Sequence, residues 1–405
     1  MLYQAYQAHS DLMGPVRQFA EFAMETVGAR LNGAARPSPL SNLTAAYEMI
    51  GRAGLTHSRP DYGIDSVTVG NQDVAVIEEE ALVTPFATLR HFKKKIDQQQ
   101  PRVLIIAPLS GHFATLLRAT VRTMLAEHDV YITDWHNARD VPLSEGAFGF
   151  DSYTAHLIRF LETIGPGAHM VAVCQPCVSA LVAASVMAQG EHPAQPRSMT
   201  LMAGPIDTRV SPTKVNELAK SKPMDWFEKK MIATVPARYA GGGRRVYPGF
   251  VQLSAFMAMN MDRHVKAHRE LYENIAKGHT EKAAQTKAFY DEYFAVLDLA
   301  AEFYLETVKL VFQDHALPLG ELSYQGRKVE PAAIKRTMLF TVEGEKDDIC
   351  AVGQTLAAHD LCTSLRPYRK RHHMQAGVGH YGVFSGRTWQ NQIYPMVKNV
   401  ILQSD

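Results

Sequence analysis

The segment His169–Ser185, HMVAVCQPCVSALVAAS, sets the architecture of the chain. It joins an apolar run, HMVAV, to a small-residue run, VSALVAAS, through an abrupt break at Gln175-Pro176. The first run reads as a buried strand, and the second as a helix that can lie close on a sheet. Between them sits Ala172-Val173-Cys174-Gln175-Pro176, a small-x-Cys-x-small pattern. A tight strand-to-helix turn forces its apex residue into a strained backbone, leaves room only for small neighbours, and aims the apex side chain at the helix N-terminus. The partial positive charge there favours a thiolate. Cys174 is therefore the candidate nucleophile. Cys177, three residues on in the first helical turn, reads as packing.

Outward from this elbow the same rhythm repeats. RVLIIAPLSGH (102–112) is a strand leading into the helix FATLLRATVRTMLAEH, and DVYITDW (129–135) is a strand followed by the helix FDSYTAHLIRFLETIG. RSMTLMAGPID adds a fourth strand, and uniformly apolar strands of this kind are covered on both faces. The spacing predicts an α/β-hydrolase fold: a mostly parallel sheet with helices on both faces. Residues 1–55 show helical periodicity, and DSVTVGNQDVAVIEEEALVTPFATLRHFKK reads as two or three antiparallel strands around an Asn-Gln-Asp turn.

After Asp207 the rhythm stops. A Met-, Phe- and Tyr-rich, mostly helical stretch follows, interrupted by the loop YAGGGRRVYPGF (239–250). Strands return with KRTMLFTVEGEKDDIC, a helix GQTLAAHDLC, a strand near YRKRHHMQAG, and a terminal helix TWQNQIYPMVKNVIL. The expected organisation is an N-terminal helical segment (1–55), a first core part (56–207), a helical cap insertion (208–335) and a second core part (336–405). Such an insertion lies over the C-terminal strand ends, where α/β sheets bind ligands.

A thiol nucleophile needs a histidine base, and that histidine a carboxylate to orient it. In this fold both follow the nucleophile, acid before histidine. Seventeen histidines dilute any one of them, but His380 lies in GVGHYGVFSG, a glycine-flanked loop after the last strand. VEGEKDDI ends the preceding strand; Asp347, third after Gly344, is the favoured acid and Asp348 its competitor. The oxyanion donors expected are the N–H of Gln175 and that of Leu109 or Ser110 in PLSGH, with Gly111 allowing close backbone approach. His112 is left to cap the following helix.

Composition narrows the partners. A formal net charge of +1 over 405 residues lacks the basic footprint of a nucleic-acid binder. Four cysteines, Cys174, Cys177, Cys350 and Cys362, make neither a disulfide framework nor a zinc spacing, and the Cys174–Cys177 pair lies mid-chain, unlike a thioredoxin-type motif. No run of eighteen apolar residues and no signal-peptide pattern occurs, so the expectation is a cytoplasmic protein with reduced thiols and no membrane span.

LIIAPLSGHFATLLRATVRTML, VYITDWHNARDVP, VAVCQP, MAGPIDTRVSPTKVN, RRVYPGFVQ, TVEGEKDDI and GHYGVFSGR together resemble the intracellular polyhydroxyalkanoate (polyhydroxybutyrate) depolymerases of bacteria. The resemblance runs nearly end to end. It implies an α/β-hydrolase with a Cys-Asp-His triad, carried by motif onto Cys174, Asp347 and His380, and needing no metal or organic cofactor. It further implies amorphous storage granules and 3-hydroxybutyrate oligomers as substrate. Other granule-associated proteins, and a second copy of the chain, are compatible partners that it does not specify. Under it the insertion would admit a greasy polyester strand, with Trp226, Phe227, Tyr247, Phe250 and Phe256 as candidate contacts. A polyester synthase would use the same triad in reverse, but synthases flank their cysteine as Gly-x-Cys-x-Gly, whereas Ala172 and Pro176 stand here. A non-catalytic granule-coating protein and a general lipase or esterase are the remaining alternatives.

Overall fold

The computed structural model describes residues 2–29, 38–96, 99–259 and 261–405. Two helices open the chain, α1 (Leu2–Ala29) and α2 (Pro39–Gly51). Ser38 and Ser41 cap α2 reciprocally, each side chain accepting from the other's N–H. Three antiparallel strands follow, β1 (Ser66–Val69), β2 (Gln72–Val83) and β3 (Ala87–Lys94). Their first turn falls at Gly70-Asn71, one residue before the expected Asn-Gln-Asp: Gln72 already pairs with Val69, and Gly70 takes the left-handed φ of 60°.

The alternation then runs through β4 (Arg102–Ile106), α3 (Arg118–Leu125), β5 (Asp129–Trp135), α4 (Phe150–Ile164), β6 (His169–Val173), α5 (Cys177–Gln189) and β7 (Ser198–Met202). The following stretch holds α6 (Lys214–Ser221), α7 (Met224–Met231), β8 (Ala233–Thr234), β9 (Arg245–Tyr247), α8 (Gly249–Met259), α9 (Met261–Lys277), α10 (Thr280–Tyr293), β10 (Leu299–Ala300), α11 (Ala301–Thr307) and the hairpin β11 (Ser323–Tyr324) with β12 (Arg327–Lys328). The chain closes with β13 (Met338–Gly344), α12 (Ala358–Leu361), β14 (Lys370–Gln375), α13 (Gly386–Thr388) and α14 (Tyr394–Ser404).

Nine strands form the main sheet in the order β1-β2-β3-β5-β4-β6-β7-β13-β14, antiparallel as far as β5 and parallel beyond it. Strand alternation sorts the core onto two faces. Leu104 and Ile106 face Leu157, Phe160 and Leu181, while Val103 and Ile105 face Val121, Met124, Val397 and Ile401. Each such side chain contributes about 1.5–3 kcal/mol of burial. Helix α5 is buried nearly all round, which explains its run of Ala, Ser and Val: larger residues would not let it approach the sheet. From β4 the chain steps to β5 on one side and then to β6 on the other. That reversal opens a crevice at the C-terminal ends of β4 and β6.

Two expectations change. The glycine-rich loop 239–250 contains β9, the middle strand of a small sheet ordered β10-β9-β8. Its partner Leu299–Ala300 lies some fifty residues on, beyond the reach of local pattern. The helix expected over GQTLAAHDLC shrinks to α12. The buried carboxylate of Glu343 accepts the N–H groups of Gly353, Thr355 and Leu356, and the N–H groups of Gln354, Ala358, His359 and Asp360 bond three residues back, as tight turns.

Candidate active site

Cys174 follows β6 directly and adopts φ 67°, in the left-handed region that costs a side-chain-bearing residue roughly 1–2 kcal/mol. The strain is held from both sides: the Cys174 N–H donates to Met202 O at 2.8 Å, and its carbonyl accepts from Cys177 N–H at 3.1 Å. Behind the elbow packs Gly204. A Cβ there would stand 2.1 Å from that of Cys177, so the strand and helix meet where only hydrogen fits. Cys177 is fully buried, its thiol directed at the Ala172 and Met202 carbonyls, and burial raises its pKa well above the ordinary thiol value. Cys174 is only half-buried.

β13 and β14 run parallel with Gly344 opposite Gln375, so the loops that leave them travel side by side. Glu345 N–H donates to Gln375 O, and Lys346 N–H to Val378 O. The result is a 2.7 Å hydrogen bond from His380 Nδ1 to Asp347 Oδ2. The other oxygen of Asp347 accepts the N–H groups of Ile349 and Cys350 at 2.9 and 2.8 Å, fixing the carboxylate in place. Asp348, the neighbouring candidate, faces solvent. Burial alone would lower the His380 pKa. The Cys174 sulfur and the Asp347 carboxylate act against it, electrostatically and as hydrogen-bond partners, and hold the ring well above the ordinary histidine value. With Nδ1 taken by Asp347, Nε2 is the nitrogen left for the sulfur.

The loop after β4 flanks this cluster. Leu109 is buried and Ser110 partly so. Among the described residues, the backbone N–H groups of Leu109, Ser110 and Gln175 donate to no protein acceptor. Gly111 has φ 95°, a conformation that favours glycine, and a Cβ there would press on the Gln252 side chain at 3.0 Å. Residues 296–298 strap the loop down: Leu297 N–H donates to Gly111 O, and His112 forms a bridge with Val296. Asp298 anchors the strap. Its N–H donates to Asn137 Oδ1, and its carboxylate accepts from Tyr3 OH at 2.6 Å and from Gly249 N–H at 2.9 Å. Burial raises the Asp298 pKa to about 6, against the opposing pull of those two donors.

The five aromatic candidates scatter. Phe227 is buried, and Trp226 meets it edge to face while carrying Lys222 on its ring. Tyr247 is buried and stacked on Tyr304, and Phe250 is buried and stacked on Tyr6 at 4.0 Å. Phe227, Tyr247 and Phe250 lie on three different elements, α7, β9 and α8, and each ring is buried. Phe256 does reach the loop, 6.1 Å from the His112 ring. Side chains to which the sequence assigned no part in catalysis line the cluster as well. Tyr381 and Phe384 meet the His380 ring edge to face, Tyr293 lies 5.1 Å from the His112 ring, and Gln175 Oε1, Gln252 Oε1 and His112 Nε2 are buried without a partner among the described residues. Burial lowers the His112 pKa to about 4, so that ring is neutral near pH 7 and suited to a neutral ligand. Tyr381, next to His380, was the one signal available in sequence. No group of three or more His, Cys, Asp or Glu among the described residues is arranged to hold a metal ion.

Sheet order, the strand-to-helix elbow at the crevice and the loops after β13 and β14 define an α/β-hydrolase. A family model described as "PHB de-polymerase C-terminus" matches residues 203–405, and the chain belongs to that family of hydrolases. Among solved structures it is similar to a soluble variant of monoglyceride lipase from Saccharomyces cerevisiae, at 11% identity over 86% of this chain and 99% of that one, with a TM-score of 0.47. It is also similar to 2-hydroxy-6-oxo-6-phenylhexa-2,4-dienoate hydrolase from Rhodococcus sp. strain RHA1 (12% identity, 82% and 99% covered, TM-score 0.42). A thermophilic esterase from Thermogutta terrifontis is a third (11% identity, 84% and 98% covered, TM-score 0.39). A search of curated proteins found no match. Among the described residues, no helix is long and apolar enough to cross a membrane.

Proposed function

We propose that the chain is a poly(3-hydroxybutyrate) depolymerase that hydrolyses ester bonds of amorphous storage polyester in the cytoplasm, at the granule surface. The observation that carries this reading is the 2.7 Å hydrogen bond that orients His380 on Asp347, beside a strand-to-helix elbow that holds Cys174 at a positive φ. His380, oriented by Asp347, takes the proton of Cys174, and the sulfur attacks the ester carbonyl. The oxyanion receives the N–H groups of Gln175 and of Leu109 or Ser110, which have no other protein acceptor among the described residues. His380 then protonates the leaving alkoxide, and an acyl-thioester remains on Cys174. Water, deprotonated by the same ring, adds to that thioester and releases the 3-hydroxyacyl product. Residues 208–335 act as the cap, with Phe256 and Tyr293 as an apolar wall beside the ester. The unpartnered Oε1 atoms of Gln175 and Gln252 can accept from the attacking water or from a hydroxyl of the substrate. The flanks Ala172 and Pro176 favour hydrolysis over polymer synthesis.

The test is incubation of purified protein with amorphous polyhydroxybutyrate granules, wild type beside Cys174→Ala, with soluble product identified by mass. Release of 3-hydroxybutyrate or its oligomers by the wild type alone is expected. Equal release by both proteins, or by neither, overturns the reading.

A further inference from the structure

Helix α1 is apolar on two sides. One side packs inward through Tyr3, Tyr6 and Ala20, with Tyr6 stacked on Phe250. The other side faces solvent with Ala8, Leu12, Val16, Phe19 and Phe22, spaced at three and four residues and so aligned along one stripe. Leu12, Phe19 and Phe22 are 73%, 63% and 67% exposed, unusual for side chains that an ordinary solvent-facing helix would replace with Lys or Glu. The stripe continues across the neighbouring helix: Phe19 meets Tyr47 of α2 edge to face, and Tyr47 shares its face with the exposed Leu43 and Ile50.

Charge narrows the occupant. The described part of this two-helix layer carries the acids Asp11, Glu21, Glu25 and Glu48 against a single helical Arg17; Glu48 is paired with Lys287, and Arg52 after α2 with Asp291. Asp11 borders the stripe beside Phe22 and is paired with Arg238, and the others lie off it. An anionic phospholipid surface attracts helices whose polar flanks carry Lys and Arg, the opposite of this pattern. An uncharged, methyl-rich polyester makes no such demand and rewards apolar area alone.

We infer that the exposed face of α1 and α2 is the docking surface for the uncharged polyester particle, separate from the crevice that holds Cys174. The inference rests on the proposed polyester substrate, and adsorption is read apart from hydrolysis so that the two can fail independently. Docking needs no chemistry: adsorption removes the stripe from water and concentrates the enzyme on a substrate that does not dissolve.

The experiment compares full-length Cys174→Ala with the same protein carrying Leu12→Gln, Val16→Gln, Phe19→Gln and Phe22→Gln, by co-sedimentation with amorphous polyhydroxybutyrate granules. Vesicles of phosphatidylcholine, with and without phosphatidylglycerol, run beside them. The expected result is a tenfold or greater loss of granule adsorption, weak vesicle binding by both proteins, and recovery of adsorption when Phe19 and Phe22 are replaced by Leu in place of Gln. With Cys174 intact, turnover of a soluble 3-hydroxybutyrate ester stays unchanged by the four substitutions. Should the fourfold variant misfold by circular dichroism, Phe22→Asp alone reads the same face. Unchanged adsorption overturns the inference, as does stronger binding to anionic vesicles than to granules. So does a wild-type dimer in solution that the substitutions convert to monomer while adsorption persists. Loss of ester turnover in wild type with adsorption intact overturns the depolymerase reading and leaves the docking face standing.

Discussion

His380 Nδ1 stands 2.7 Å from Asp347 Oδ2, although 33 residues separate them in sequence. The pairing of β13 with β14 makes the contact, and the two backbone N–H groups on the second carboxylate oxygen keep Asp347 from turning away. A histidine held this way has one ring nitrogen committed to orientation and the other left over.

Asp347→Asn should therefore reduce ester turnover by on the order of 10³–10⁴, since an amide presents the wrong hydrogen-bond partner to Nδ1. Asp348→Asn, at a solvent-facing position, should stay within about threefold on the same assay. Steady-state kinetics on a soluble 3-hydroxybutyrate ester checks both, and a reversed ranking refutes the assignment of the acid.

The ring itself should titrate well above the ordinary histidine value of about 6.5 in the wild type. The sulfur is one of the two groups that hold the ring's pKa up, so Cys174→Ala should lower the midpoint, leaving Asp347 alone to oppose burial. A raised native pKa stabilises the fold fully below about 6.5, and that contribution fades as pH rises through the native value. The variant should lose it at lower pH than the wild type. Ring nitrogen NMR and melting temperature against pH measure the two effects; an unshifted midpoint would show that the sulfur does not act on this ring.

Cys177→Ala should keep turnover and cost about 1 kcal/mol, as its thiol makes only weak contacts with two carbonyls. Gly204→Ala should cost roughly 1–3 kcal/mol, because its Cβ collides with Cys177. Turnover should fall with it, since the same Cβ comes within 3.1 Å of the Cys174 carbonyl. Urea midpoints alongside kinetics decide this. Abolished turnover in Cys177→Ala would move the nucleophile to the wrong side of the elbow.

Asp298 predicts a pH effect of unusual sign. Its native pKa of about 6 exceeds the ordinary carboxylate value of about 3.9, so the native state binds its proton more tightly than the unfolded chain. Stability should fall as pH rises between those values. Asp298→Asn removes that dependence, and its unfolding free energy relative to wild type should improve by about 2–3 kcal/mol from pH 4 to pH 7. Urea titrations at both pH values test it, and parallel profiles would exclude a buried charge on the Tyr3–Asp298 anchor.

Much of the architecture is written locally. HMVAV, the Gln-Pro break and the small-residue run announce strand, elbow and helix within seventeen residues, because side-chain period and turn sterics act over a few bonds. The same locality made Cys174, Asp347 and His380 visible as candidates at strand ends. It failed where the partner was remote. β9 becomes a strand only against β8 and β10, Glu343 accepts N–H groups of a segment ten residues and more ahead of it, and Phe250 stacks on Tyr6 from the other end of the chain. Tyr3 and Asp298, 295 residues apart, anchor the strap over the loop after β4. Such relations depend on which surfaces are left to bury once the sheet has formed. Local pattern reports what a segment can be; the competition among distant segments for burial and hydrogen-bond partners settles what it touches.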